Sequence, residues 1–165
     1  MIEVQGINKS FNDHHVLVDI NTKFDTGKVN LIIGQSGSGK SVLTKCLVGL
    51  HEPDTGVVIY DGRNFTEMDR NEKKGVRREI GMLFQGSALF DSMTVEENVM
   101  FPLTMFTDMG REEKLERANF CLQRVNLSNK NLLFPSECSG GMQKRIAIAR
   151  AIAMNPKYLF CDEPN

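Results

Sequence analysis

The sequence predicts an α/β fold, and three observations carry the prediction. A glycine-rich loop, Gly34-Gln35-Ser36-Gly37-Ser38-Gly39-Lys40-Ser41, lies between an apolar run, Val29 to Ile33, and a helix-like segment, Val42 to Leu50. A second apolar run, Ile80 to Phe84, stops at Gln85, and a third, Tyr158 to Cys161, stops at Asp162-Glu163. Short apolar runs that end on polar residues, separated by stretches of helical character, read as buried strands alternating with helices.

Composition bounds the class. The chain has 165 residues, 41% apolar and 25% charged, with a formal net charge of -1. That is one ordinary globular domain able to bury a core. A near-zero charge gives no electrostatic case for nucleic acid or an anionic membrane surface. Cys46, Cys121, Cys138 and Cys161 are far apart in the sequence. They suggest neither a zinc site nor a disulfide framework, and free thiols fit a reducing cytoplasm. No apolar span approaches the roughly 18 residues of a membrane helix, and Met1 to Gln5 lacks the pattern of a leader peptide.

In chain order, Ile2 to Ile7 and Val16 to Phe24 alternate loosely between apolar and polar residues. They predict two antiparallel strands joined through Asn12-Asp13-His14-His15, with Thr26-Gly27 turning the chain into the glycine-rich loop. Pro53 to Gly56 is a turn, Val57 to Tyr60 a short strand, and Asp61-Gly62 a hairpin signal. Arg70 to Arg78 reads as a solvated, mixed-charge face. Thr94 followed by Glu96 and Glu97 is a helix start, and that segment is expected to run as far as Pro102. Arg111 to Asn126 places Leu115, Ala118, Leu122 and Val125 on one helical face. After the break at Pro135-Ser136-Glu137, a further helix is expected to start near Ser139 and to end before Asn155-Pro156.

Three stretches carry chemistry. In the pattern G-x-x-x-x-G-K-S, glycines let the backbone wrap a phosphate and aim N–H groups inward, and the following helix adds its positive end. Lys40 would reach the β- and γ-phosphates, and the Ser41 hydroxyl would ligate Mg²⁺. This motif alone says that a nucleoside triphosphate binds. Asp162 and Glu163, at the carboxyl end of an apolar strand, can hold Mg²⁺ and activate a water respectively. Taken alone, they read equally as an exposed acidic turn. Ser139-Gly140-Gly141 at a helix start is an anion site or, equally, a serine cap in a flexible turn.

Taken in order, the phosphate loop, the strand ending in Gln85, Ser139-Gly140-Gly141 opening an Ala/Ile-rich helix, and the strand ending in Asp162-Glu163-Pro164 resemble the ATP-binding subunit of ABC transporters. The resemblance implies a P-loop core with an N-terminal antiparallel β layer and a helical subdomain. Its expected organisation is a core over 1–86, a helical subdomain over 87–154, and the acidic strand of the core over 155–165. It implies that Phe11 stacks on adenine, with a packed core phenylalanine as the alternative. Residues 34–42, Val42 included, would hold the phosphates of Mg-ATP, and Gln85 would sense Mg²⁺ and the γ-phosphate. Ser139, Gly140 and Gly141 would cap ATP bound to a second copy. Cys138 stands where the family usually has leucine, and Val42 where it has threonine.

Within the family, Gly81 to Val95 with Asn98-Val99 and Pro102-Leu103 looks like the Mla-type ATPases, which move phospholipids with a permease and an MCE-type lipid-binding protein. The expected setting is the cytoplasmic face of the inner membrane, on a permease, as a homodimer and without nucleic acid. The family pattern continues past Glu163-Pro164 with an aspartate-containing loop and a switch histidine. The sequence is therefore expected to be a fragment, poor at hydrolysis and prone to self-association. A soluble ABC-type ATPase without a permease and an ATP-binding module without turnover are the alternatives. Ser139-Gly140-Gly141 argues against a simple nucleotide kinase.

Overall fold

The computed structural model describes residues 1–162, and the chain divides into two compact units, Met1–Arg77 and Arg78–Asn165. The first is built on an antiparallel sheet of order β2-β1-β3-β4, with β1 at Ile2–Phe11, β2 at His14–Phe24, β3 at Thr55–Tyr60 and β4 at Arg63–Asn64. β1 and β2 pair from Ile2↔Phe24 to Phe11↔His14. The predicted hairpin is therefore present, but its turn shrinks to Asn12-Asp13 because both histidines extend the strand. Asp61 and Gly62 have φ of 48° and 79°. This is the two-residue turn that matches strand twist.

Ile2, Val4 and Ile7 of β1, with Val58 and Tyr60 of β3, are buried. The helix after the glycine-rich loop, α1 (Lys40–Leu47), buries Leu43, Cys46 and Leu47. A buried side chain of this size contributes about 1.5–3 kcal/mol.

One expectation in this unit is refined and another needs correction. The charged stretch Arg70–Arg78 is mostly exposed, as a solvated face should be, and it forms a helix, α2, that buries Val76. Its start is capped reciprocally. Asp69 Oδ1 accepts from the N–H of Asn71 and Glu72 at 2.7 and 2.8 Å, and Glu72 Oε2 accepts from the Asp69 N–H at 2.8 Å. The signal was the Asp69-x-x-Glu72 capping box. Val29 to Ile33, predicted to be a buried strand, joins no ladder among the described residues. Val29, Leu31 and Ile33 are 99%, 81% and 81% exposed. An apolar run becomes a strand only where a neighbour takes its N–H and C=O groups.

The second unit holds a parallel pair, β5 (Ile80–Leu83) and β6 (Tyr158–Cys161), in register from Ile80↔Tyr158 to Leu83↔Cys161. Between them run α3 (Val95–Phe106), α4 (Arg111–Arg124), a 3₁₀ turn (Pro135–Glu137) and α5 (Gly140–Ile152). Val95, Val99 and Leu103 of α3, Ala118, Cys121 and Leu122 of α4, and Ile146 and Ala149 of α5 form one core. α3 does not stop at Pro102 but passes through it to Phe106. Proline withdraws one helical hydrogen bond, while Val99 and Leu103 on either side of it remain buried in the shared core. Arg117 donates to the carbonyls of Ala153 and Ile152 at 2.8 and 3.1 Å, so α4 satisfies the C-terminal end of α5.

β6 is less buried than its apolar sequence implied. Leu159 is 51% exposed, because among the described residues β6 pairs with β5 alone.

Candidate nucleotide-binding site

In the first unit, residues Gly34 to Ser38 are exposed, and Gly39 and Lys40 lead into α1. Gly39 has φ 89°, and a Cβ there would stand 3.0 Å from the Val16 carbonyl and 3.1 Å from Leu17 Cδ2. A bare α-carbon is what lets the loop close onto β2. The Lys40 ammonium donates to the carbonyls of Gly34 and Gln35 at 3.0 and 2.9 Å. Neutral carbonyls of the loop hold the charge in place without neutralising it.

α1 has no side-chain cap and no acidic residue in its first turn. Its first N–H groups and Lys40 thus form a donor set suited to an anion. Ser41 and Val42 occupy that first turn and are half-buried. These residues fit a triphosphate with Mg²⁺.

Phe11, at the end of β1, is 41% exposed and meets His51 edge-on at 5.4 Å between ring centroids. It is no core residue. Lys9 pairs across the hairpin with Leu17, the residue that Gly39 abuts. Phe11 is two residues further along the same strand, roughly 7 Å away. The β1–β2 hairpin therefore brings the aromatic ring and the phosphate loop to one end of the sheet.

In the second unit, the parallel register puts Gln85 and Asp162 past the same ends of β5 and β6, and the Asp162 N–H donates to the Leu83 carbonyl at 2.9 Å. Asp162 is buried. Glu163, the predicted base, lies outside the described residues.

Ser139 caps α5, its Oγ accepting from the Met142 N–H at 3.3 Å. Gln143 Nε2 donates to the carbonyls of Pro135 and Cys138 and so fixes the preceding turn. The Cys138 side chain joins the helical core, where burial pushes its thiol pKa up. It serves there as an apolar filler.

Gly140 and Gly141 have neither a left-handed φ nor any atom within 4 Å of a notional Cβ. Nothing within the described chain requires glycine at either position. Two residues with chemistry to offer were given no site role by the sequence, Arg150 on α5 and Asn98 on α3. Asn98 is fully buried, and its Oδ1 accepts from the Phe90 N–H at 2.8 Å while Nδ2 donates to the carbonyls of Phe90, Met93 and Thr94.

The sequence pattern described as ABC transporter matches residues 17–165. The chain belongs to the ABC transporter family. The fold of this ABC cassette agrees with that of the dimeric bacterial ABC transporter cassette MJ0796, at a TM-score of 0.92 and 34% identity, covering 99% of this chain and 74% of that one. A second structure of MJ0796, in a post-hydrolysis state bound to ADP and Pi, also has a TM-score of 0.92.

Among curated relatives, the probable ribonucleotide transport ATP-binding protein mkl of Mycobacterium leprae is 39% identical over 99% of this chain and 47% of its own length. The methionine import ATP-binding protein MetN of Legionella pneumophila (strain Paris) is 41% identical over 99% of this chain and 48% of its own. The glutamate transport ATP-binding protein GluA of Corynebacterium efficiens is 38% identical over 99% and 67%. The cassette thus spans about half the length of the first two of these relatives. No helix among its described residues is long and apolar enough to cross a membrane.

Proposed function

We propose that this chain binds Mg-ATP, encloses it with a second copy, and hydrolyses it to energise an ABC permease. The observation that carries the reading is the cradle at Gly34–Ser41, with the Lys40 ammonium on two loop carbonyls at the mouth of an uncapped helix. Phe11 would offer a π-face to adenine, and the loop with Val42 would bind the phosphates. Ser41, Gln85 and Asp162 would hold Mg²⁺, which supplies charge neutralisation on the β- and γ-phosphates.

Glu163 would take the proton of the water that attacks the γ-phosphorus, with ADP leaving. Ser139, Gly140 and Gly141 would face the γ-phosphate held by the other copy. The bare, unhindered surface at both glycines supports an approach from outside the chain.

For the cargo, the stretch from Gly81 to Val95 with Asn98-Val99 and Pro102-Leu103 favours phospholipid movement between membranes, with a permease at the inner membrane and an MCE-type lipid-binding protein. The names of the relatives, ATP-binding proteins of ribonucleotide transport, glutamate transport and methionine import, favour a second reading, movement of a small polar solute.

The test is Mg-ATP turnover by the full-length ATPase reconstituted with its permease. Glu163→Gln should retain ATP and lose roughly 100-fold or more in kcat. An unchanged rate removes Glu163 as the base. Stimulation by phospholipid-loaded acceptor supports the first cargo, and stimulation by a small polar solute alone supports the second.

A further inference from the structure

Gln85 is followed by a bend of unusual backbone: Ser87 and Ala88 have φ of 66° and 47°. Two consecutive left-handed residues that carry a Cβ are unfavourable and persist only where surrounding contacts impose them. Here the contact comes from Arg150 of α5. Its Nη1 donates to the Ala88 carbonyl at 2.7 Å and its Nη2 to the Ser87 carbonyl at 2.8 Å. The guanidinium also lies over the Phe90 ring, 5.9 Å from its centroid, and Phe90 packs on Phe101 of α3 at 4.6 Å. Past Phe90, Asn98 fastens the chain to α3 through four hydrogen bonds.

The segment between Gln85 and α3 is therefore tied to two helices by polar side chains that hold main-chain carbonyls. A planar, charged fork suits the first task, since it supplies two parallel donors from one rigid group.

We propose that Arg150 is a positioning residue for Gln85, locking the bend at Ser87-Ala88 to the helix that opens at Ser139. It rests on the reading of Gln85 and Ser139 given above. Arg150 acts through the main chain, with both of its hydrogen bonds going to carbonyls of the bend. It lies roughly 16 Å along α5 from Ser139, so the helix acts as a rod whose one end would meet ATP on a second copy. The other end sets the bend beside Gln85. Approach of the second copy at Ser139 is thereby transmitted to the bend after Gln85 through the Arg150 side chain.

The test uses the full-length ATPase with its permease. Arg150→Met keeps the stem and removes the fork, while Arg150→Lys keeps one donor group. Arg150→Met should lower kcat about tenfold with KM for ATP within about twofold, and Arg150→Lys should recover part of the loss. In a Gln85→Ala background, with its residual turnover, Arg150→Met should cost less than about twofold. Equal losses in both backgrounds overturn the inference, as does an unchanged kcat. If Arg150→Met fails to fold, Arg150→Lys carries the same cycle. A wild-type complex without Mg-ATP turnover refutes the proposed function and this inference with it. A wild-type complex that turns over but shows additive losses refutes this inference alone.

Discussion

The Tyr60 hydroxyl donates to the Leu47 carbonyl at 3.0 Å, with both residues wholly buried. The helix that begins with Lys40 is thus held at its far end by the sheet, because Leu47 is its last residue and its carbonyl has no partner within the helix. Tyr60→Phe keeps the ring and leaves that carbonyl buried without its donor. It should cost about 1–2 kcal/mol, seen as a lower urea midpoint at unchanged slope. An unshifted midpoint would mean that water replaces the hydroxyl.

Gly39 makes a second demand on the same helix. Alanine there must hold φ near 89° and press on the Val16 carbonyl, so Gly39→Ala should cost about 1–2 kcal/mol from the backbone alone. Titration with Mg-ATP should show weakened binding as the loop shifts off β2. Full affinity in this variant would show that the loop does not depend on its seat against β2.

Gly140 and Gly141 should behave in the opposite way. Each sits in the first turn of α5 with a right-handed backbone and open space around it. Gly141→Ala should therefore stabilise the chain, by up to about 1 kcal/mol. In the full-length protein, the same substitution should reduce ATP turnover while the unfolding midpoint rises. Destabilisation would mean that an internal contact, rather than an external ligand, explains the glycine.

What was legible in the sequence follows from how local each signal is. The phosphate loop, the Ser139 cap and the Thr94 start are contiguous patterns whose physics acts over three or four residues; α3 and α5 begin where those patterns put them, and α1 begins at Lys40, two residues before the expected Val42. The start of α2 was equally local, as Asp69-x-x-Glu72, and was masked by the charges around it. Arg150 could not be assigned, because its partners Ser87 and Ala88 lie 63 and 62 residues away. The strand expected at Val29–Ile33 shows the remaining limit: apolar residues state a need for burial but do not supply the neighbour that meets it.

α3 carries a pH prediction. Thr94 Oγ1 accepts from the Glu97 N–H, and Glu97 Oε2 accepts from the Thr94 N–H at 2.7 Å. That backbone N–H, and next the Thr94 hydroxyl, hold the Glu97 carboxyl below its ordinary pKa of 4.5. A depressed carboxylate stabilises the fold fully above its unfolded pKa, and the contribution disappears as pH falls through the folded value. Thr94→Ala should cost about 1 kcal/mol at neutral pH. The difference between variant and parent midpoints should narrow below pH 4.5. Alanine keeps the backbone N–H, so a difference that stays constant to low pH would detach the Thr94 hydroxyl alone from the carboxylate.

The exposed run at Val29–Ile33 sets a final expectation for the 165-residue chain. Val29, Leu31 and Ile33 alternate, so pairing as a strand would put them on one face, and the run joins no ladder among the described residues. An unpaired apolar edge is a template for a second copy of the same chain. Light scattering should show concentration-dependent association, and Leu31→Lys with Ile33→Lys should suppress it by placing two like charges on the pairing face. Urea midpoints should move little, because neither side chain is buried within its own unit. A dispersed monomer before substitution would show that the edge is screened. Association that persists in the lysine variant would move the contact to another surface, and the 51% exposed Leu159 on β6 would be the first place to look.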